Sequence, residues 1–388
     1  MKFFSLRTRD KDEPHRTATT LELMFDLASV IAIAAAAGGL HHGIAEGHAL
    51  DALPAFLAGF FMIWWSWMNY TWFASAYDDG STPFRVLSMA AMFGALTIAA
   101  GIPAVFSERP IYLSVLGFVI MRAAMALFWF GAAAGDPKHR MTALTYGFGI
   151  LVMQVFWIWL VLTIAPSAAL YAPLLIAGIA GELAVPVIAE MRYGATVWHR
   201  HHIIERYGLL NIIVLGECFL AIAAMLTTGD RGAPANGHGF LTAVTAAAIT
   251  FSLWGFYFTR EEHLEQDALH RALLWGYGHF AIFASGAATG AGLAVFHEAA
   301  IGKADIGYRG ASYAIAIPVA IYLLTLWFVR DRFCLTGASR MLLPLIALIA
   351  VLLPLLFAEA LVPVAALCVA GVAIRWTASR PLKKLIRV

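Results

Sequence analysis

Residues 111–133 read IYLSVLGFVIMRAAMALFWFGAA, an apolar run whose one charged side chain is Arg122. As an α-helix rising about 1.5 Å per residue, a run of this length crosses the roughly 30 Å hydrocarbon core of a bilayer. Runs of the same kind recur in both directions, at 21–40, 52–76 and 86–106 before it and at 142–164, 169–190, 207–228, 239–259, 271–296, 310–329, 341–358 and 360–376 after it. The pattern predicts an all-α polytopic membrane protein of about twelve transmembrane helices. Glu359 and a turn containing Pro363 divide the last apolar stretch into two short spans; an unbroken stretch there makes the count eleven.

Composition agrees with that reading. Of 388 residues, 61% are hydrophobic and 13% charged, against about 45–50% and about 25% in soluble domains. Soluble, disordered and coiled-coil classes are thereby excluded, and a formal net charge of +2 gives no footing for nucleic-acid binding. Cys218, Cys334 and Cys368 lie far apart with no CxxC spacing, so they read as small apolar packing groups rather than a disulfide framework or thiolate metal site.

Lys and Arg gather on the cytoplasmic side of membrane proteins. With alternate connections assigned to opposite sides and the N-terminus inside, twenty-one basic residues fall inside, and only Arg109, Arg231, Lys303 and Arg309 outside. Both termini are expected in the cytoplasm and the chain in the bacterial inner membrane, with no cleavable leader. The expected organisation is a cytoplasmic tail at 1–16, a first six-helix half at 17–191, a cytoplasmic connector at 192–206, a second six-helix half at 207–376 and a basic tail at 377–388.

The halves share landmarks. Glu22 and Glu205 open spans 1 and 7, and Asp78-Asp79 and Glu261-Glu262 close spans 2 and 8, both at an offset of 183. Phe128-Trp129-Phe130 resembles Leu326-Trp327-Phe328 at an offset of 198, and Arg140-Met141 resembles Arg340-Met341 at 200. Six spans per half is an even number, so the halves are expected to be direct repeats of one orientation.

Three segments resemble the low temperature requirement A (LtrA) family of bacterial membrane proteins. They are Thr20-Leu21-Glu22-Leu23-Met24-Phe25-Asp26-Leu27, the Trp64-Trp65-Ser66-Trp67 run leading to Asp78-Asp79, and His202-Ile203-Ile204-Glu205-Arg206-Tyr207-Gly208-Leu209 continuing to Gly216-Glu217. Where the family pattern usually has Ser after that Gly-Glu pair, this chain has Cys218. The resemblance implies a multi-pass bacterial membrane protein linked to growth in the cold, and carries no molecular activity with it.

Ionisable side chains at mid-membrane depth cost about 2.5–3.5 kcal/mol, so they persist where they are paired, solvated or used. Arg122, Glu182 and Glu217 lie near the middle of spans 4, 6 and 7. One cation cannot neutralise two acids, which leaves one carboxylate for a proton, a cation or a cationic substrate group; a static knot of all three is the bland alternative. Asp26 sits one turn deeper than Glu22 on the same face of span 1 and is a candidate for an inner gate or ion path, while capping and dipole stabilisation is the default for Glu22 and Glu205. Asp78, Asp79 and Arg206 complete a candidate inner gate, with a solvated loop face as the commoner fate of such residues. Asn69 is expected to point inward from an aromatic-loaded span 2, some of whose rings should meet lipid or interface. His279 reads as a satisfied buried imidazole, with proton relay as a minority reading. No cofactor is indicated, and neither His41-His42 nor His199, His201 and His202 has the spacing of a zinc site.

A secondary transporter of a small solute, coupled to protons or a cation, is the leading expectation. The alternatives are an integral-membrane enzyme acting on a lipid or isoprenoid-like substrate, for which no catalytic motif is present, and a non-catalytic membrane-organising protein. Expected partners are membrane lipids, a small-molecule or ion substrate, no nucleic acid, and a homodimer as the candidate assembly.

Overall fold

The computed structural model describes residues 4–14, 16–107, 110–227, 237–259, 264 and 269–379. Every element among the described residues is helical. Helix α1 (Thr20–Ala45) opens on a capping box: Thr19 Oγ1 accepts the Glu22 amide at 3.3 Å, and Glu22 Oε2 accepts the Thr19 amide at 2.7 Å. α2 (Ala49–Tyr77) follows, and then α3 (Thr82–Val105), capped by Ser81 Oγ on the Phe84 amide with Pro83 in its first turn. The order continues through α4 (Tyr112–Gly135), α5 (Arg140–Thr163), α6 (Tyr171–Tyr193), α7 (Arg200–Thr227), α8 (Gly237–Phe258), α9 (Leu269–Ala300) and α10 (Tyr308–Leu326). A five-residue π-helical stretch, Trp327–Asp331, leads to the short α11 (Arg332–Cys334) and α12 (Gly337–Arg340), and then to α13 (Leu342–Leu356) and α14 (Leu361–Ser379).

Ten of these helices are long and apolar enough to cross a membrane, counting α10 through to Cys334. α13 and α14 are apolar and shorter. The break between them falls on residues 357–360, just ahead of Pro363. Pro363 occupies instead the first turn of α14, where its missing N–H has no intrahelical partner to lose. The landmark Glu261-Glu262, together with Arg109, Arg231, Arg260 and residues 380–388, lies outside the described residues.

The chain divides into two compact units, Met1–Ala35 with Gly59–Tyr207, and Ala36–Ala58 with Gly208–Val388. The stretch 36–58, which the sequence pattern groups with the first half, thus belongs to the second unit. In the first unit α3 packs on α4, α4 on α5 and α5 on α6. In the second, α9 packs on α10, α10 on α13, α8 on α14 and α13 on α14. Small residues permit the closest approach: a Cβ at Gly94 of α3 would lie 2.8 Å from the Gly117 carbonyl oxygen of α4, and one at Gly117 2.7 Å from that of Gly94.

From Gly59 onward α2 is buried nearly all round, whereas Leu50, Leu53 and Leu57 in its first turns are exposed. Trp64, Trp65, Trp67, Tyr70, Phe73 and Tyr77 are all covered, and Trp72, the most open of its span 2 rings, donates its indole N–H to Tyr207 Oη at 2.9 Å. The expectation that some of these rings meet lipid is corrected. Stacking among neighbours such as Phe25 and Tyr70, 3.9 Å apart, covers the rings.

Candidate functional site

In the first unit Arg122 of α4 and Glu182 of α6 are fully buried and paired, Nη2 to Oε2, at 2.6 Å. The Glu182 carboxylate accepts three further donors: Trp65 Nε1 at 2.9 Å on Oε2, and Gln154 Nε2 at 3.0 Å and Trp157 Nε1 at 3.1 Å on Oε1. All four partners are donors. Four donors on two oxygens match the acceptor-only geometry of a carboxylate. Arg122 Nε and Nη1 have no hydrogen-bond partner among the described residues; the guanidinium carbon lies 6.0 Å from the ring centres of both Trp65 and Phe118, and those rings supply the remaining favourable surroundings.

A second buried ionic cluster in the same unit joins α1 to the start of α7. Arg206 grips Asp26 with both Nη atoms at 2.7 Å, and Trp67 Nε1 donates to Asp26 Oδ1 at 2.7 Å. One turn earlier His202 Nε2 lies 2.9 Å from Glu22 Oε1. Glu22 therefore serves both as helix cap and as partner to His202, whereas Glu205 is half-buried with no ion pair among the described residues. Asp78 is buried and accepts the Gly80 amide at 3.0 Å, and Asp79 accepts the Ser81 amide at 3.0 Å, so both shape the turn into α3. Burial raises the Asp78 carboxyl above its ordinary pKa. Asn69 spends its amide on the Trp65 carbonyl at 2.7 Å, one turn back on its own helix.

Glu217 belongs to the second unit. It is half-buried on α7 and has no hydrogen bond or ion pair among the described residues. α9 meets it with Gly290, where a Cβ would lie 2.6 Å from Glu217 Cβ; the GxxxG step at Gly286 and Gly290 thus seats α7. His279 accepts from or donates to Tyr257 Oη at 3.1 Å and bonds the Trp275 carbonyl at 2.7 Å, which satisfies both ring nitrogens. Tyr322 Oη donates to Asn211 Oδ1 at 3.0 Å.

The sequence reading missed a third buried cluster. Asp331, at the end of the π-helical stretch, is held by both Nη atoms of Arg375 at 2.8 and 2.9 Å and by Arg330 Nε at 2.9 Å. Arg330 also donates to the Tyr257 and Phe256 carbonyls at the end of α8. These residues read as loop and tail charges; the available signal was an acid flanked by arginines at the end of an apolar run. Gln154 was likewise findable as an amide inside an otherwise apolar span. Cys218 and Cys368 are buried as small packing groups, while Cys334 is exposed, because α11 lies past the last buried turn of α10. Among the described residues no three His, Cys, Asp or Glu side chains gather in a way that could hold a metal ion.

No match was found among curated proteins, and none among solved structures. The family model described as "Bacterial low temperature requirement A protein (LtrA)" matches residues 17–375, which take in α1 through nearly all of α14 with each of the three ionic clusters. A chain with this many apolar helices, matched over that length, is a multi-pass membrane protein that belongs to the LtrA family.

Proposed function

We propose that the chain is a secondary transporter of the bacterial inner membrane, moving a small solute coupled to protons or another cation. The reading includes twelve crossings, with α13 and α14 as short spans, both termini in the cytoplasm, and two six-helix repeats. The order of neighbours favours the repeats: α3–α4–α5–α6 in one unit parallels α9–α10–α13–α14 in the other. Alternating access by one repeat moving against the other suits such an arrangement.

The observation that carries the reading is the contrast between two acids. Glu182 is saturated by four donors, whereas Glu217 stands in an apolar helix with no partner among the described residues. A saturated carboxylate is a fixed anion; an unpartnered one exchanges a proton or accepts a cation. The coupling role therefore falls to Glu217, while Arg122 and Glu182 form an ordered polar wall within the first unit. Proteoliposomes with an entrapped pH dye, challenged with a panel of small metabolites under an imposed pH gradient, test it. Wild type should show solute-dependent proton flux and Glu217→Gln should lose at least about tenfold of it; equal flux in both removes the role.

The saturation of Glu182 also favours a second reading, a membrane-organising protein whose buried charges fix helix packing. It predicts that Glu217→Gln alters no flux for any solute and that Arg122→Ala lowers only thermal stability and abundance.

A further inference from the structure

Ahead of α1, residues 4–14 lie against the ends of α2 and α4. Leu6 is fully buried, and its amide donates to the Gly131 carbonyl at 3.0 Å. The Arg9 amide donates to the Ala76 carbonyl at 2.8 Å, one of those a helix end leaves without an intrahelical donor. Arg9 Nη1 reaches the Asp78 carbonyl at 3.1 Å, the Arg7 amide reaches Asp79 Oδ2 at 3.2 Å, and the Glu13 carbonyl bonds His199 Nε2 at 2.9 Å.

α4 is built to receive this segment. A Cβ on Gly131 would lie 2.7 and 2.9 Å from ring carbons of Phe4, and one on Gly135 would overlap the Leu6 carbonyl. The run Gly131-Ala132-Ala133-Ala134-Gly135 therefore leaves space for the segment at both glycines. Hold on the segment is slight by comparison with a helix: Leu6 is its one fully buried side chain, while Arg7, Thr8, Asp10, Lys11 and Asp12 are exposed and stay hydrated whether it is seated or free. Few buried apolar contacts and a solvated flank are the marks of a piece that opens locally.

We propose that residues 4–14 form a detachable strap, which closes the end of the first unit at α2 and α4 when seated and admits water to that end when released. α2 and α4 are also the helices that bring Trp65 and Arg122 to Glu182, so the strap sits on the ends of the elements that build the polar wall. The proposal stands without the transport reading, and its test needs no solute.

The test uses the full chain in nanodiscs carrying Ala76→Cys, a position 2% exposed whose carbonyl takes the strap's Arg9 amide, and Cys334→Ser to remove the exposed thiol. Gly135→Ala should unseat the strap without weakening α4, since Ala is the better helix former. Maleimide labelling at position 76 and deuterium exchange at the Leu6 and Arg9 amides should each rise at least about tenfold. Leu6→Asp, which changes no residue of a membrane helix, should do the same by removing the buried anchor. Exchange that rises while labelling stays at the wild-type rate makes the segment a passive cover and overturns the proposal; so does a lack of change in either readout for both variants.

Discussion

Replacing Glu182 by Gln separates a fixed anion from a group that carries a proton. The carboxylate receives four donors on two oxygens. An amide offers one oxygen and turns an NH2 group toward two of those donors, and Arg122 loses its ion-pair partner while remaining fully buried. Removing one partner of a buried pair costs about 3–5 kcal/mol. At about 2 °C per kcal/mol for a chain of this size, the unfolding midpoint should fall by roughly 6–10 °C. Replacing both partners, Arg122→Met with Glu182→Gln, leaves no stranded charge, so the double variant should lie above the sum of the single losses by about 2 kcal/mol or more. Tryptophan emission during thermal unfolding is the natural assay, because the Trp65 and Trp157 indoles bond the carboxylate directly. A Glu182→Gln midpoint within about 1 °C of wild type would mean that the group is neutral in the folded protein, and the assignment of coupling to Glu217 would lose its basis.

Asp136, between α4 and α5, supplies a prediction in pH. Burial raises its pKa, but the bonds from the His139 ring at 2.6 Å and amide at 3.3 Å, with Tyr77 Oη at 3.1 Å, outweigh burial and hold the carboxyl below its ordinary value. A depressed folded pKa stabilises the protein fully above the unfolded value of about 3.9, and that contribution disappears as the pH falls through the folded value. Asp136→Asn should therefore lower the midpoint at pH 6 to 7 and converge on wild type in acid, read by thermal unfolding across pH. Gly290→Ala should cost about 1–3 kcal/mol, because its Cβ would press on Glu217 Cβ at 2.6 Å and the Cys218 amide nitrogen at 2.9 Å. Gly216→Ala on α7, with nothing within 4 Å, should be neutral or stabilising by up to about 1 kcal/mol in the same measurement.

Much of the candidate site was legible before any coordinates. Arg122, Glu182 and Glu217 are conspicuous because a charge in an apolar run must be accounted for, and Asp26 stood out by lying one turn deeper than a cap requires. The run of rings around Trp64 to Tyr77 showed that α2 is apolar on every face, yet burial and lipid exposure make the same demand on a side chain, so the sequence pointed to lipid where the bundle supplied cover. Asp331, Arg330 and Arg375 escaped because they sit at span ends, where charges are ordinary and periodicity is silent.

Membrane class and the approximate ends of the helices follow from the sequence alone, since every unpaired peptide group in hydrocarbon is costly and a long apolar helix avoids that cost within a single segment. Partnership is another matter. Which acid takes Arg122, which aromatic N–H groups saturate Glu182, and that Leu6 settles against two glycines of α4, were decided by tertiary packing. Those choices turn on distances of a few ångströms between residues 25 to 129 positions apart, and one-dimensional order does not encode them locally.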